Sequence, residues 1–204
     1  MSDTIAVVDY GVGNLANVAR ALARSGATAV RITRDEGELL AARGIVLPGV
    51  GHFGDCSAKL HGLGLDSTLR RAHAREIPIL GLCVGMQLFF EGSEEDDDAP
   101  GLGFYCGTVR RLRGDVRVPH TGWNEVRIRR AHPWLGSVPD GAHFYFVHSY
   151  AADPEDDVVL ATADYGGAIP AIVGGTRLLG VQFHPEKSAR MGERVLQGFV
   201  RGIA

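Results

Sequence analysis

Residues 79–90 read Ile79-Leu80-Gly81-Leu82-Cys83-Val84-Gly85-Met86-Gln87-Leu88-Phe89-Phe90. An apolar run suited to a buried strand meets Gly-x-Cys-x-Gly and continues into an apolar segment that is compatible with a helix. This is the nucleophile-elbow pattern with cysteine in place of serine. We therefore expect Cys83 at the carboxyl edge of a sheet and at a helix N-terminus, where a thiolate is favoured. The alternative is a small buried cysteine without chemistry, which is common in proteins.

The chain before this stretch alternates strand-like and helix-like segments. Strands are predicted at residues 5–9, 28–33, 44–47 and 77–80, helices at 15–25 and 36–42, and helix with loop interruptions at 55–76. This β-α-β-α order predicts a parallel sheet that is covered by helices on both faces.

The chain after residue 103 changes to short strand-like runs. Antiparallel additions at one side of the sheet are predicted at 108–112, 125–128, 143–148 and 158–161, a closing hairpin at 171–173 and 178–183, and a last helix at 188–203. The sequence thus predicts an α/β fold of three layers with a mostly parallel central sheet, in a single domain over residues 1–204.

Composition excludes several classes of partner. The 204 residues carry 21 Lys+Arg against 24 Asp+Glu, a net charge of −3, so neither nucleic acid nor an anionic membrane is expected as a partner. The three cysteines (56, 83 and 106) show no metal-binding spacing, and no secretory leader precedes them. We expect reduced thiols in a cytoplasmic protein, with no metal and no cofactor.

An acidic stretch, Glu94-Glu95-Asp96-Asp97-Asp98, follows the helix-compatible segment. Consecutive charges between glycine and proline are typical of a solvated loop rather than of a metal site.

The second candidate motif lies a hundred residues beyond the elbow. It reads Gln182-Phe183-His184-Pro185-Glu186 and ends the predicted hairpin. In an extended chain His184 and Glu186 point to the same side, so the carboxylate can orient the imidazole while its other nitrogen takes a proton from a thiol. Cys83, His184 and Glu186 together are sufficient for a thiol acyl-transfer triad. The alternative is a histidine at a strand end beside a solvated glutamate.

Acyl transfer also needs donors for a developing oxyanion. The backbone N–H of Val84, next to the nucleophile, is one candidate. The N–H of Val50, in the glycine-rich loop Pro48-Gly49-Val50-Gly51 after the third strand, is the other. The alternative for this loop is a plain turn between strand and helix.

These segments resemble class I (triad) glutamine amidotransferases in Gly81-Leu82-Cys83-Val84-Gly85-Met86-Gln87, Pro48-Gly49-Val50-Gly51 and His184-Pro185-Glu186. Further segments resemble the family of glutaminase subunits of imidazole glycerol phosphate synthase: Asp9-Tyr10-Gly11-Val12-Gly13-Asn14-Leu15, Pro119-His120-Thr121-Gly122-Trp123-Asn124, Tyr145-Phe146-Val147-His148-Ser149-Tyr150 and Gln182 to Ser188. The chain departs from the family pattern at His52, Cys106, Thr121 and the acidic stretch, none of which belongs to the triad.

The resemblance implies a class I glutamine amidotransferase-like, flavodoxin-like fold and a defined set of roles. Cys83 attacks the side-chain amide of glutamine, His184 protonates the departing ammonia, and a γ-glutamyl thioester is then hydrolysed by water that His184, held by Glu186, activates. The positions that match the family's glutamine-binding residues are Gly51, Gln87, Ser149 and Tyr150.

The resemblance also implies a partner. In the family a (β/α)8-barrel cyclase subunit, bound as a heterodimer, uses the ammonia to make imidazole glycerol phosphate and an aminoimidazole carboxamide ribotide in histidine biosynthesis. Asn14, Trp123 and Lys187 match positions at or near that interface. For Trp123 the alternative is a core aromatic residue, and for Lys187 an ordinary surface lysine.

Three other interpretations compete with this one. The run Gly11-x-Gly13-x-x-Ala16 after a strand fits a dinucleotide-binding oxidoreductase, but it leaves Cys83 and His184 unexplained. The ammonia could serve anthranilate, pyridoxal phosphate or GMP synthesis instead. A non-catalytic scaffold that retains the fold is the third.

Overall fold

The computed structural model describes residues 3–155 and 157–203. Its helices are α1 (Leu15–Arg24), α2 (Glu36–Ala41), α3 (Phe53–Gly62), α4 (Leu65–Ala74), α5 (Val84–Gln87) and α6 (Ala189–Gly202). Its strands are β1 (Thr4–Val8), β2 (Ala29–Thr33), β3 (Gly44–Gly49), β4 (Ile79–Cys83), β5 (Gly92–Ser93), β6 (Gly107–Arg111), β7 (His120–Ile128), β8 (Ala142–His148), β9 (Tyr150–Pro154), β10 (Val159–Asp164), β11 (Ala168–Gly174) and β12 (Leu178–Val181). Single 3-10 turns lie at Pro133–Leu135 and Pro185–Lys187.

Within the described residues, nine strands form one sheet in the order β2-β1-β3-β4-β12-β11-β10-β7-β8. Five neighbouring strands of this sheet are parallel: β2, β1, β3, β4 and β12. The other four, β11, β10, β7 and β8, continue the sheet beyond β12 in antiparallel pairs. The predicted α/β fold, with parallel strands on one side and antiparallel additions on the other, is confirmed.

Helices cover both faces of the parallel half. Residues of α1 and α6 pack in one hydrophobic core, and residues of α2, α3 and α4 pack in a second core on the opposite face. Strands β3 and β4 are buried throughout because they are covered from both sides, which is why they read as unbroken apolar runs.

The pairing of β12 with β4 positions the site. Val181 lies opposite Leu82 in this parallel pair, so the chain after β12 leaves the sheet beside Cys83, at the carboxyl ends of both strands. Ligand sites of open α/β sheets lie at this edge.

The structure corrects the prediction for residues 108–112. They belong to β6, which pairs with β5 and β9 in a separate three-stranded sheet and not with the central one. The helix with loop interruptions that was predicted over 55–76 is confirmed as two helices, α3 and α4, separated at Gly64, which adopts a positive φ of 68°. In the part of the chain that the structure describes, no helix combines the length and the apolar character that spanning a membrane requires.

Candidate active site

Cys83 is the last residue of β4 and the residue before α5, with φ 52° and ψ −113°. A non-glycine residue in this region is strained and is held there by its surroundings. The flanking glycines leave no room for a side chain, because a Cβ on Gly81 would lie 2.6 Å from the Phe89 ring and one on Gly85 would lie 2.0 Å from the carbonyl oxygen of Leu47. The predicted sharp turn at Cys83 is confirmed.

The helix after the turn is shorter than predicted. It ends at Gln87 because the next residues bond elsewhere: the carbonyl of Leu88 accepts from the N–H of Leu102, and that of Phe89 accepts from Phe104. A single turn carries little of the macrodipole that the sequence suggested as support for a thiolate. That support has to come from neighbouring side chains.

His184 and Glu186 lie together as predicted, but the backbone conformation that brings them together differs from the predicted one. The Nδ1 atom of His184 donates to Oε1 of Glu186 at 3.0 Å, and the two side chains are 4% and 6% exposed. The chain is not extended here, because Pro185 opens a 3-10 turn over Pro185–Lys187. Ser188 fixes this turn by donating its hydroxyl to the carbonyl of His184 at 2.6 Å.

The imidazole of His184 is more basic than an ordinary histidine. Burial lowers its pKa, but the hydrogen bonds and negative charges of Cys83 and Glu186 outweigh burial and raise the pKa to about 9. Because Nδ1 is bonded to Glu186, Nε2 is the nitrogen that remains for the sulfur of Cys83. A protonated His184 is thus favoured at neutral pH.

A pocket of about 510 Å³ opens over the sulfur. It brings together most of the residues that the sequence singled out: Cys83 and His184, Val50 and Val84, and Gly51, Gln87, Ser149 and Tyr150. Glu186 lies behind His184 and does not line the pocket.

The predicted glutamine-binding residues are held in place by backbone geometry and hydrogen bonds. Gly51 has a φ of 90°, and a Cβ added to it would meet no atom within 4 Å, so the loop leaves open space above the pocket floor. Gln87 is buried, and its Nε2 donates to the carbonyl of Tyr150 at 2.9 Å and to Oε1 of Gln182 at 3.0 Å. Both protons of this amide are therefore used, and only its oxygen remains for a ligand.

Glu95 is a pocket residue that the sequence did not predict. Its carboxylate lines the pocket and accepts from the N–H of Phe53 at 2.8 Å, at the start of α3. Its neighbour Glu94 forms ion pairs with Arg110 and Arg113. The interpretation of 94–98 as a solvated loop therefore fits Glu94, which is exposed, and is wrong for Glu95, because the N–H of Phe53 holds its carboxylate against the protein.

Gln182 is the second residue that was missed. It is fully buried, and its Nε2 lies 3.7 Å from Sγ of Cys83. The spacing of two residues before His184, continuing the alternation to Glu186, was the signal available in the sequence.

The three predicted interface residues lie around the pocket mouth or near it. Asn14 and Lys187 line the pocket, and the Asn14 side chain also accepts from the N–H of Asn17 at the start of α1. Trp123 packs edge-on against Tyr145, with ring centroids 6.2 Å apart, and is 54% exposed. The alternative of a core aromatic residue at Trp123 is therefore wrong.

The glycines of the possible dinucleotide fingerprint serve the turn after β1, because Gly11 and Gly13 adopt positive φ angles of 77° and 93°. A Cβ on Gly13 would lie 3.4 Å from the side chain of Pro48, so this turn lies against the end of β3. Asp35, after β2, caps α2 by accepting from the N–H of Glu38 at 2.9 Å. In the described ranges, no group of three or more His, Cys, Asp or Glu residues is arranged to hold a metal ion.

The fold and this site point to a class of thiol acyl-transfer enzyme, and comparison with known proteins identifies it. A sequence model of the family described as Glutamine amidotransferase class-I matches residues 6–202, so the chain belongs to that family. A solved structure described as that of a glutamine amidotransferase has the same fold, with a TM-score of 0.76 at 20% identity, over 97% of this chain and 98% of that one.

Relatives place the chain more narrowly within the class. It is 46% identical to imidazole glycerol phosphate synthase subunit HisH of Moorella thermoacetica, over 96% of this chain and 93% of the relative. It is also 46% identical to the subunit of the same name from Geobacillus kaustophilus, over 98% of this chain and 97% of the relative. The HisH subunits are therefore the members of the family that this chain resembles over nearly its full length.

Proposed function

We propose that the chain is the glutaminase subunit of an imidazole glycerol phosphate synthase, which hydrolyses glutamine and passes ammonia to a cyclase partner. The observation that carries the proposal is that Cys83 and His184 line one pocket while Glu186, buried behind them, is bonded to His184. The similarity to HisH subunits favours this destination of the ammonia over anthranilate, pyridoxal phosphate or GMP synthesis.

In the first half of the reaction, Sγ of Cys83 attacks the side-chain amide carbon of glutamine. The carbonyl oxygen becomes an oxyanion, for which the N–H groups of Val50 and Val84 are the candidate donors at the pocket wall. Loss of one such donor typically costs about 2.7–4 kcal/mol of transition-state stabilisation. The protonated His184 then gives its proton to the departing ammonia, and a γ-glutamyl thioester remains on the sulfur.

In the second half, His184 works as a base. It takes a proton from a water molecule that attacks the thioester carbon, and the thiolate leaves as glutamate forms. Glu186 holds the imidazole through Nδ1, so that Nε2 faces the reacting atoms in both halves.

Recognition of glutamine follows from which polar atoms are unused. The free oxygen of Gln87 and the carboxylate of Glu95 are acceptors, which suit the α-ammonium group of the substrate. Gly51, Ser149 and Tyr150 supply backbone N–H and hydroxyl donors that suit its α-carboxylate.

The partner in this proposal is a (β/α)8-barrel cyclase that forms a heterodimer with the chain. Asn14, Trp123 and Lys187 are the proposed contacts, and the exposed side chains of Val50 and Val147 extend the apolar surface at the pocket mouth. A large exposed aromatic residue beside apolar neighbours is typical of an interface anchor.

Two further properties belong to the proposal. The chain works as one glutamine amidotransferase domain over residues 1–204, and it works in the cytoplasm. The buried free thiols of Cys56 and Cys83 support a reducing compartment, because a catalytic thiol has to stay reduced to act as a nucleophile.

The test is reconstitution with the barrel cyclase of the same organism. The complex should convert the cyclase's nucleotide substrate with either glutamine or added ammonia as nitrogen source. Cys83→Ala should abolish the glutamine-dependent reaction and leave the ammonia-dependent one intact. Undiminished glutamine turnover by this variant in the complex would show that the triad is assigned wrongly.

The same complex tests coupling between the two reactions. We expect the isolated chain to be a poor glutaminase, because the glycine loop offers a means of keeping the oxyanion hole unformed until the partner and its nucleotide are bound. Similar glutaminase rates for the chain alone and in the loaded complex would show that the two reactions are not coupled.

A further inference from the structure

Behind the sulfur of Cys83 lies a pair of buried amides, Gln87 and Gln182. Their side chains are 2% and 0% exposed, and they connect the carbonyl of Tyr150 to the nucleophile through three consecutive hydrogen bonds. Nothing in the triad mechanism uses Gln182.

The orientation of both amides follows from one fixed group. A carbonyl oxygen only accepts, so the Gln87 atom 2.9 Å from the Tyr150 carbonyl has to be Nε2. The second proton of Nε2 points to Gln182 at 3.0 Å, so the Gln182 atom at that point has to be Oε1. The Nε2 of Gln182 is then the atom that faces Sγ of Cys83 at 3.7 Å, and it faces the sulfur as a donor.

The opposite orientation of Gln182 is excluded by its surroundings. It would set the NH₂ groups of Gln87 and Gln182 against each other at 3.0 Å. Two donors facing each other in a buried contact are repulsive.

We propose that Gln182 is a further catalytic residue, whose side-chain amide donates a hydrogen bond to the Cys83 thiolate and holds the sulfur in line for attack. The proposal rests on the function proposed above, in which Cys83 is the nucleophile. A hydrogen bond to an ionised acceptor is roughly twice as strong as one between neutral groups. The bond is therefore stronger to the thiolate than to the sulfur of the thioester.

This difference assigns Gln182 a role in two states of the cycle. It stabilises the free thiolate together with His184, which compensates for the short α5 with its weak dipole. It also stabilises the sulfur as a leaving group when water attacks the thioester, since negative charge returns to the sulfur in that step.

The experiment measures the reactivity of the sulfur directly. Iodoacetamide alkylation of Cys83 is followed by peptide mass spectrometry across pH 5–9 in the purified complex. The variants are Gln182→Met, which keeps the length of the side chain and removes the donor, and Gln182→Glu, which places a carboxylate against the sulfur. Gln197→Met, on the outer part of α6, is the matched control, because its amide contacts Glu193 and not the site.

We expect Gln182→Met to lower the alkylation rate at pH 7 about fivefold to tenfold and to move the profile to higher pH. Gln182→Glu should move it further in the same direction, and the control should overlay the native profile. The glutamine-dependent kcat of Gln182→Met should fall by a similar factor with little change in KM, while ammonia-dependent turnover stays constant.

A native alkylation profile in both Gln182 variants would overturn the proposal. Should Gln182→Met fail to fold, as judged by circular dichroism, the isosteric Gln182→Glu decides by the same profile. Failure of the proposed function would look different, because Cys83→Ala would then retain glutamine turnover whatever the alkylation profiles show.

Discussion

The Nδ1 atom of His184 lies 3.0 Å from Oε1 of Glu186, in a contact that solvent hardly reaches. Among the described residues, the second carboxylate oxygen of Glu186 is a buried side-chain oxygen that has no hydrogen-bond partner. The only side-chain hydrogen bond of this carboxylate in the described part of the chain is therefore with His184, where it orients the imidazole and stabilises its protonated form.

Glu186→Gln should disable the glutaminase reaction without disturbing the pocket. An amide has no charge to stabilise an imidazolium, so the pKa of His184 should fall from about 9. We expect the glutamine-dependent kcat to fall by about 10²–10⁴. The ratio of glutamine-dependent to ammonia-dependent turnover in the complex measures this, and a loss below tenfold would contradict the role of the carboxylate.

The buried pair His120 and His148 should make the fold sensitive to acid. Nδ1 of His120 and Nε2 of His148 are 3.0 Å apart, and burial lowers the pKa of each to about 4. A histidine whose pKa is lower in the folded chain than in the unfolded chain stabilises the fold at a pH above the unfolded pKa, near 6.5. This stability is lost as the pH falls from 6.5 toward the folded pKa, near 4.

Urea unfolding at pH 7.5 and pH 5.0 measures the effect of this pair. We expect a loss of about 2–4 kcal/mol between the two pH values. The loss should be smaller in His120→Gln, which keeps one donor and one acceptor and cannot be protonated in this range. An equal loss in the native chain and the variant would show that other groups set the acid limit.

Cys83→Gly should be at least as stable as Cys83→Ala, which reverses the usual order for these two residues in a strand. Glycine in a strand normally costs about 0.5–1 kcal/mol relative to alanine. At φ 52° the alanine is strained and the glycine is not. We expect Cys83→Gly to unfold at an equal or higher urea concentration than Cys83→Ala, with neither variant hydrolysing glutamine. A Cys83→Gly that is less stable by 1 kcal/mol or more would argue against strain at the elbow.

Gly85→Ala should damage both folding and activity. Its methyl group would lie 2.0 Å from the carbonyl oxygen of Leu47, a backbone atom that cannot move aside cheaply. We expect a loss of more than about 2 kcal/mol in unfolding free energy. Gly62→Ala is the matched control, because its methyl group would meet no atom within 4 Å and the substitution favours a helix. Equal stabilities for the two variants would contradict the close packing of β3 on the elbow.

Trp123→Ala should weaken the complex and leave the subunit folded. The side chain is largely exposed, so its removal should change the unfolding free energy by less than about 1 kcal/mol. As an interface anchor it should cost about 2 kcal/mol or more in binding to the cyclase, roughly 30-fold in Kd. Leu63→Ala, at an exposed apolar residue that does not line the pocket, is the control. Equal affinities for both variants in titration calorimetry would remove Trp123 from the interface.

The parts of the fold that the sequence predicted are those with a strong local signal. β3 and β4 are unbroken apolar runs because both of their faces are buried, and Cys83 stands between two glycines that the turn requires. Strand β9 lacks such a signal. Its residues Tyr-Ala-Ala-Asp-Pro have little intrinsic preference for strands, and only pairing with β6 makes them one.

The site residues that could be predicted are likewise those with a strong local signal in the sequence. Cys83 and His184 stand in recognisable local motifs, whereas the role of Glu95 depends on Phe53, which lies 42 residues earlier in the chain. The contact of Gln182 with Gln87 spans 95 residues. The contact of Gln182 with Gln87 depends on the register of β12 against β4, which no local pattern specifies.

The absence of space at the glycines of the elbow has a consequence for protein engineering. A side chain at Gly81 would collide with the Phe89 ring, and one at Gly85 would collide with the backbone of β3. The elbow below the sulfur therefore accepts no larger residue at these two positions. Gly51 at the mouth borders open space. A laboratory that wishes to retune this enzyme for another amide donor should direct its library to the rim of the pocket and keep the floor constant.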